Sequence, residues 1–536
     1  MHNAPRKWRL TVTDVSASVA AIVAMFGPTP SMAQYRPPAS ASVTPVTAAH
    51  GGESRREPVY VRSPLLSEAI QSPDGVITID QAVQLGLRLN RSLALAGEAL
   101  HRSSGRLAEA RAAGNPTAGA GFTYTRLNTG QTINFSGRNI PIVNADQPVF
   151  SAQVTLPVDI AGMIRTAADQ ARFTEIAARL DVNRSRNQVV YDVKAAYYEV
   201  LRARALLVVA KQNVQNAEAR QLDAQQKLTA GTVARFDLIR AQTDVANSRQ
   251  QQIAADSLVS QDIGQLNSAM GVDINSDTKV TEAGSVTDLP PAPGQPDSPS
   301  APSNAGTKQP PDQLSGSEYT RLIDEALSTR PDVLQADANI AAAQKGVRLA
   351  RRTQLPTLGV TLAGTVNPNA AGFAPQTAGG QLVVGLSAPL FDGGVARARV
   401  AQARADVETA VIGRRQATDL ASLEVRGAWL SLLQAKAQVS VASQALAQAR
   451  EGFRLARVRY NAGVSGTAGL SPQLEVSDAQ AALTQAETNR VNALYAVNTA
   501  SAALDRAVGR YSYAAGGEGF VAPPVVPVER LQGVKR

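Results

Sequence analysis

Cysteine is absent from all 536 residues. That excludes disulfides, thiolate metal ligands and a cysteine nucleophile, and with them a lipid anchor on an N-terminal cysteine of the mature chain. Histidine occurs only at His2, His50 and His101, positions that cannot assemble a metal site or a catalytic triad within one chain. Aromatic residues make up 4% of the composition, less core-forming ring than a globular enzyme of this length usually carries. There is no glycine-rich phosphate loop, and the carboxylates form no recognisable acid/base pair. The expectation is a protein without catalysis or a cofactor. The formal charge of +9 is dispersed among Gln, Asp and Glu, with no basic patch interleaved with aromatics, so nucleic acid is not an expected partner.

Long apolar runs are missing as well. Val15 to Phe26 is an apolar stretch of about 12 residues, short of the roughly 20 that a spanning helix needs. Arg6, Lys7 and Arg9 precede it, Gly27 and Pro28 close it, and Ser31-Met32-Ala33 supplies small residues for cleavage. Residues 1–33 therefore read as a secretory signal peptide, with the mature chain starting at Gln34. No later segment could cross a bilayer as a helix, so membrane insertion of the mature chain would have to use strands.

What the chain does contain is a duplication. Residues 34–75 have the composition of a disordered segment, and a Pro-rich linker at 283–317 separates two matching stretches, 76–282 and 318–510, followed by a tail at 511–536. Asn115-Pro116-Thr117 corresponds to Leu355-Pro356-Thr357, a shift of about 240 positions. Leu156-Pro157-Val158 corresponds to Ala388-Pro389-Leu390, Tyr191-Asp192-Val193-Lys194 to Leu423-Glu424-Val425-Arg426, and Thr229-Ala230-Gly231 to Asn461-Ala462-Gly463, all shifted by about 232. Preserved order over most of the chain marks a repeat, with a longer inter-strand loop in the first copy.

Each copy has one plan. A helix (about 80–113, and 318–352) ends near a proline. A strand pair follows, about 118–160 in the first copy and 357–391 in the second, with loops 128–147 and 367–380 rich in Asn, Gly and Pro. In Phe150-Ser151-Ala152-Gln153-Val154-Thr155-Leu156 apolar and polar residues alternate without error, as in a strand with one apolar and one polar face. Then comes a helix almost free of breakers, Met163 to Thr229 and Val395 to Asn461, each about 100 Å long at 1.5 Å per residue. Val193, Val200, Leu207 and Val214 recur every seventh residue with Ala196, Ala203, Ala210 and Ala217 between them. Val425, Leu432, Val439, Leu446 and Phe453 do the same with Ala428, Ala435, Ala442, Ala449 and Ala456. This is a coiled-coil seam whose Ala rungs let helix axes approach closely. Glycine turns close both helices, and returning helices complete hairpins at about 163–270 and 395–508.

Two strand pairs make four strands, too few for a closed membrane barrel, which needs about eight. If they span a membrane, the chain must associate with copies of itself, with Phe150, Ala152, Val154 and Leu156 toward lipid and Ser151, Gln153 and Thr155 toward water. A soluble sandwich would use the same alternation, and an exported structural or adhesive coiled-coil protein without a pore is the alternative from another class. A periplasmic adaptor would need a lipoyl-like or barrel domain between hairpin strands, and none is found.

Over about 76–510 the chain resembles the TolC-type outer-membrane efflux proteins. The resemblance rests on the two-fold repeat, on Ile77-Thr78-Ile79-Asp80-Gln81-Ala82 opening the first helix, and on Pro389-Leu390-Phe391-Asp392-Gly393-Gly394 leaving the last strand. Tyr191 to Tyr198 with Leu201, the tip Ala230-Gly231-Thr232…Phe236-Asp237-Leu238, and Tyr460-Asn461-Ala462-Gly463 add to it. It implies a mixed α/β-barrel fold: a homotrimer whose three chains build one 12-stranded transmembrane β-barrel in outer-membrane lipid, continued by a long periplasmic α-helical coiled-coil tunnel. It implies transport of substrate from an inner-membrane pump or ABC transporter through a periplasmic adaptor. By the same resemblance, Asp237, Tyr460, Glu475 and Asp478 belong to the periplasmic constriction, and Gly231, Thr232, Gly463 and Val464 to the tips that dock the adaptor. Three copies of Glu475 and Asp478 would ring a narrow opening with carboxylates and favour cations. A carboxylate at a helix start, where the dipole favours it, explains the same two residues without a ring. The second tip is about six residues longer than the first, with Gly466, Gly469 and Pro472 in the insertion.

Overall fold

The computed structural model describes residues 76–281, 317–372, 375–462 and 472–512. All lie in the compact unit Arg62–Arg536. The expected signal peptide, the 34–75 segment, nearly all of the linker and tail, and the tip residues Gly463 and Val464 fall outside the described residues.

The first copy opens with strand β1 (Val76–Ile77) and helix α1 (Ile79–Leu89). Thr78 caps α1 by accepting from the Gln81 N–H, while the Gln81 side chain accepts from the Thr78 N–H, a reciprocal pair that satisfies two orphan donors. The sequence suggested one helix over 80–113, but the structure has two. Asn90 is extended (φ −66°, ψ 127°), and its side chain caps a new helix, α2 (Arg91–Ala112), by accepting from Ser92 and Leu93. The second copy breaks at the equivalent place. Helix α5 (Ser317–Thr329) stops before Arg330, and α6 (Pro331–Arg352) begins with Pro331 at its first position. Proline is tolerated there because its missing N–H would be unpaired anyway, and it pushes Arg330 out of the helical region.

Strands β2 (Thr117–Arg126), β3 (Gln131–Phe135), β4 (Arg138–Val143) and β5 (Asp146–Val158) follow α2. The first-copy loop thus contains a hairpin that the sequence did not reveal. Ser136 and Gly137 turn it with positive φ values of 51° and 80°, the mirror-image turn that suits the twist of a two-residue hairpin. After β5 come the long helices α3 (Met163–Thr229) and α4 (Arg235–Met270) and the short strand β6 (Lys279–Val280), which pairs in parallel with β1. The second copy supplies β7 (Thr357–Val366), β8 (Ala378–Ser387), α7 (Val395–Asn461) and α8 (Pro472–Val508). Both long helices start at a left-handed glycine, Gly162 or Gly394, and both are capped by an aspartate just upstream. Asp159 accepts from the Ile164 and Arg165 N–H groups, and Asp392 from those of Gly394 and Ala396.

The four longer strands form one antiparallel sheet in the order β2-β5-β7-β8, so the two copies meet at the β5–β7 pairing. Directly paired residues share a face. Phe122 lies opposite Phe150, which lies opposite Val366; Val154 lies opposite Leu362, which lies opposite Leu382. Every even-numbered position therefore falls on one face, paved by Phe122, Val154, Leu156, Val360, Leu362, Leu382, Val384 and Leu386. The other face carries Thr117, Thr123, Ser151, Gln153, Thr155, Thr361, Thr365, Gln381 and Ser387. This is the division read from the alternation of Phe150 to Leu156, extended across all four strands.

The cores of the two copies are built alike. Val193, Val200, Leu266 and Met270 cluster with Leu85 and Tyr197 in the first, and Val425, Leu432, Val497, Leu504 and Val508 with Leu322 in the second. Val193 and Val425, equivalent by the repeat, are each 0% exposed. Ala203, Ala217, Ala421, Ala435 and Ala456 are buried along the same seams, which confirms that the Ala rungs face a partner helix. α3 packs on α4, α7 on α8, and α8 also on α3, so the hairpins stand side by side.

Candidate functional site: the hairpin tips

The tip of the first hairpin is set by backbone geometry. Helix α3 ends in a Schellman arrangement. The Thr232 N–H donates to the Lys227 carbonyl (2.9 Å) and the Gly231 N–H to the Leu228 carbonyl (3.0 Å), with Gly231 at φ 71°. Thr232 fixes the turn further by donating its hydroxyl to the same Lys227 carbonyl at 3.0 Å. Gly231 and Thr232 are exposed, and the next turn exposes Phe236 (67%) and Ile239. Asp237 sits in the first turn of α4, half-buried, where the helix dipole favours a carboxylate.

Contacts at successive heights join the first hairpin to the second. The Tyr460 hydroxyl, at the end of α7, donates to Asp223 Oδ2 on α3 at 2.7 Å. Lys227 Nζ lies 3.5 Å from the centre of the Tyr460 ring and 3.1 Å from Asp223, so an ammonium, a carboxylate and a ring close on one another. Burial, then the hydrogen bond and charge of Asp223, and then the charge of Asp237 push the Tyr460 pKa well above its ordinary value. One turn further from the tip, Ser477 on α8 donates to Asp244 on α4, and Asp478 lies 3.8 Å from Arg240. Higher still, Thr484 donates to Asn213 at 3.3 Å and Arg202 to Asn492 at 3.3 Å.

Of the residues chosen from sequence, Tyr460 and Asp237 come close enough to interact electrostatically, but Tyr460 makes its hydrogen bond to Asp223. Glu475 and Asp478 lie one turn apart on α8. Glu475 pairs with Arg459 of its own hairpin, while Asp478 is largely exposed beside Arg240 of the other. Asp223, Lys227, Arg240, Asp244, Arg459 and Ser477 were not singled out in the sequence. Their partners lie on other helices, so no local pattern marks them.

A sheet with one apolar and one hydroxyl-lined face, feeding two side-by-side hairpins about 100 Å tall, defines a barrel-plus-tunnel outer-membrane channel fold. The sequence matches the outer membrane efflux protein family over residues 82–272 and 322–510, and the chain belongs to that family. It has the fold that solved outer-membrane channels share. It is similar to Protein CyaE of Bordetella pertussis, 27% identical over 52% of this chain and 54% of that protein, so the chain spans about half the length of that relative. It is also similar to the solvent efflux pump outer membrane protein SrpC of Pseudomonas putida, 24% identical over 84% of this chain and 89% of that one. Among solved structures, the CmeC outer membrane channel of Campylobacter jejuni shares the fold with a TM-score of 0.64 and 16% identity, covering 80% of this chain and 85% of that one.

Proposed function

We propose that three copies of this chain form one channel through which an inner-membrane pump or secretion ABC transporter discharges cargo across the periplasm and outer membrane, without chemistry on the cargo. The observation that carries this is the four-stranded sheet. It is amphipathic across its whole width, yet β2 and β8 each pair on one side only. An open edge in lipid leaves backbone groups unpaired at several kcal/mol each, and joining β8 of one copy to β2 of the next removes every edge. Three copies give twelve strands. The flanking helices support the same arrangement. Leu423, Leu430 and Val441 on α7 and Ile239 and Ile253 on α4 are exposed on the two helices that would face neighbouring copies.

In this reading the Tyr460–Asp223 and Ser477–Asp244 links hold the second hairpin against the first, and Asp237, Glu475 and Asp478 stand at the constriction. The exposed turn around Gly231, Thr232, Phe236 and Ile239 offers a small apolar surface for a periplasmic adaptor. The signal peptide delivers the chain to the periplasm.

The test is light scattering of detergent-solubilised protein followed by planar-bilayer recording. A particle of three chain masses with discrete conductance steps is expected. A monomer, or a trimer that never conducts, overturns the proposal, and the latter favours a structural coiled-coil protein.

A further inference from the structure

The charge pattern along the passage bears on what can pass. On the hydroxyl-lined face of the sheet, the odd-numbered positions of β2, β5, β7 and β8 carry Thr, Ser, Gln, Gly, Ala, Val and Pro, and no ionisable side chain at all. The barrel section therefore presents no fixed charge to cargo.

The tips carry charge of both signs. From Arg220 to Asp244 and from Arg457 to Asp478 the sequence places six cationic side chains against five carboxylates, and residues 463–471 between them add none. Of the three carboxylates placed at the constriction, the two on α8 each have an arginine: Arg459 bonds Glu475, and Arg240 stands 3.8 Å from Asp478. That separation is well inside the Debye length of about 8 Å at physiological salt, so a passing ion meets a dipole and not a bare carboxylate. Beside them lies a cavity of about 330 Å³ between the hairpins, lined by Arg220, Arg240, Asp244, Ser477, Asp478 and Gln480. Among the described residues, Arg220 Nε and Nη1 and Arg240 Nε have no hydrogen-bond partner there. Guanidinium stays protonated even where burial opposes its charge, so these N–H groups point donors at an acceptor that Asp244, already engaged by Ser477, does not fully supply.

We infer that this channel does not select for cations and that its entrance admits uncharged and anionic cargo, with Arg240 and Arg459 cancelling the field of Asp478 and Glu475. The inference rests on the channel reading above and deepens it. It replaces the simple carboxylate ring suggested by the sequence with an arginine-compensated one.

The test is the reversal potential of the purified full-length trimer in planar bilayers under a KCl gradient. The expected permeability ratio PK/PCl is about 1 or lower. Arg240→Gln and Arg459→Gln, each exposing one carboxylate per copy, should raise the ratio about two-fold or more, and Asp478→Asn should lower it. Conductance with a wild-type ratio above about 3 overturns this inference and leaves the channel reading intact. A ratio that none of the three variants moves overturns the assignment of compensation to these arginines. Absence of any conductance overturns both readings.

Discussion

The hydroxyl of Tyr460 reaches across from the second hairpin to the Asp223 carboxylate of the first, 2.7 Å away and 237 residues earlier in the chain. A hydrogen bond to a charged group is worth about 1.5–3 kcal/mol, less here because the pair is only part-buried. Tyr460→Phe removes it while keeping the ring under Lys227. The expected outcome is a properly assembled protein with a larger or more often open conductance, and recordings of the variant beside wild type check it.

The same pair makes the link sensitive to alkali. The folded protein raises the Tyr460 pKa above the ordinary 10.0, so the proton is held more tightly in the linked state than in the unlinked one. Stability from such a group is fully present below the ordinary value and is lost as pH climbs past it. The wild-type conductance should be flat from neutrality to about pH 9 and rise above pH 10, and the Tyr460→Phe variant should lack the rise. A pH titration of single-channel current on both proteins decides this.

Gly271 ends α4 at φ 81°, and a Cβ there would lie 2.4 Å from the Leu89 carbonyl oxygen. Both the backbone conformation and the collision are with fixed main chain, so neither relaxes easily. Gly271→Ala should cost about 1–3 kcal/mol or more, lowering the unfolding temperature measured by circular dichroism. Gly86→Ala tests the close approach of α1 to α3, where a Cβ would meet Val193 Cγ2 at 2.7 Å. It should cost less, because a side chain can shift.

Legibility in the sequence followed the range of each interaction. The long helices were visible because they run 67 residues almost without a breaker and carry a seven-residue seam from Val193 and from Val425, and the strand faces because alternation survives from Phe150 to Leu156. The breaks at Asn90 and Arg330 were less visible. Asn90 sits inside a continuous apolar periodicity, and the interruption shows in its extended backbone and its caps to Ser92 and Leu93. At Arg330 the following Pro331 was a local signal that the helical pattern overrode. The β3–β4 hairpin is hidden by Pro141 and by its short strands. At the tips, Tyr460 could be picked out, but Asp223 and Arg240 could not. Their roles depend on how one hairpin is registered against the other.

Arg330 shows how the second copy is held at that break. Its guanidinium is buried and bonds Asp332 Oδ2 at 2.7 Å, Glu424 Oε2 at 2.9 Å and the Ala507 carbonyl at 2.9 Å, tying the start of α6 to α7 and to the end of α8. Arg330→Ala leaves Asp332 without its cation and Glu424 with Arg506 alone, 3.7 Å away, so it should cost less than the roughly 3–5 kcal/mol typical of breaking a fully buried pair. Arg330→Lys keeps the charge but cannot bond all three acceptors in the plane that the guanidinium fork provides, so it should recover only part of the loss. Thermal unfolding of both variants in detergent ranks them.

The two faces of the sheet make the sharpest test of how the chain sits in the membrane. Thr361 and Leu362 are neighbours in β7, and the register puts Thr361 against Thr155 and Leu362 against Val154, on opposite faces. If the apolar face meets lipid, Leu362→Lys carries a charge into hydrocarbon at a cost of about 2–4 kcal/mol near the bilayer midplane. Thr361→Lys places the same charge in water, where it costs little and adds a cation to the lumen. The expected outcome is loss of assembled protein from the outer-membrane fraction for Leu362→Lys alone, with Thr361→Lys assembling normally and shifting PK/PCl downward. Equal tolerance of both substitutions would place the sheet in water on both sides, and the reverse pattern would invert its faces.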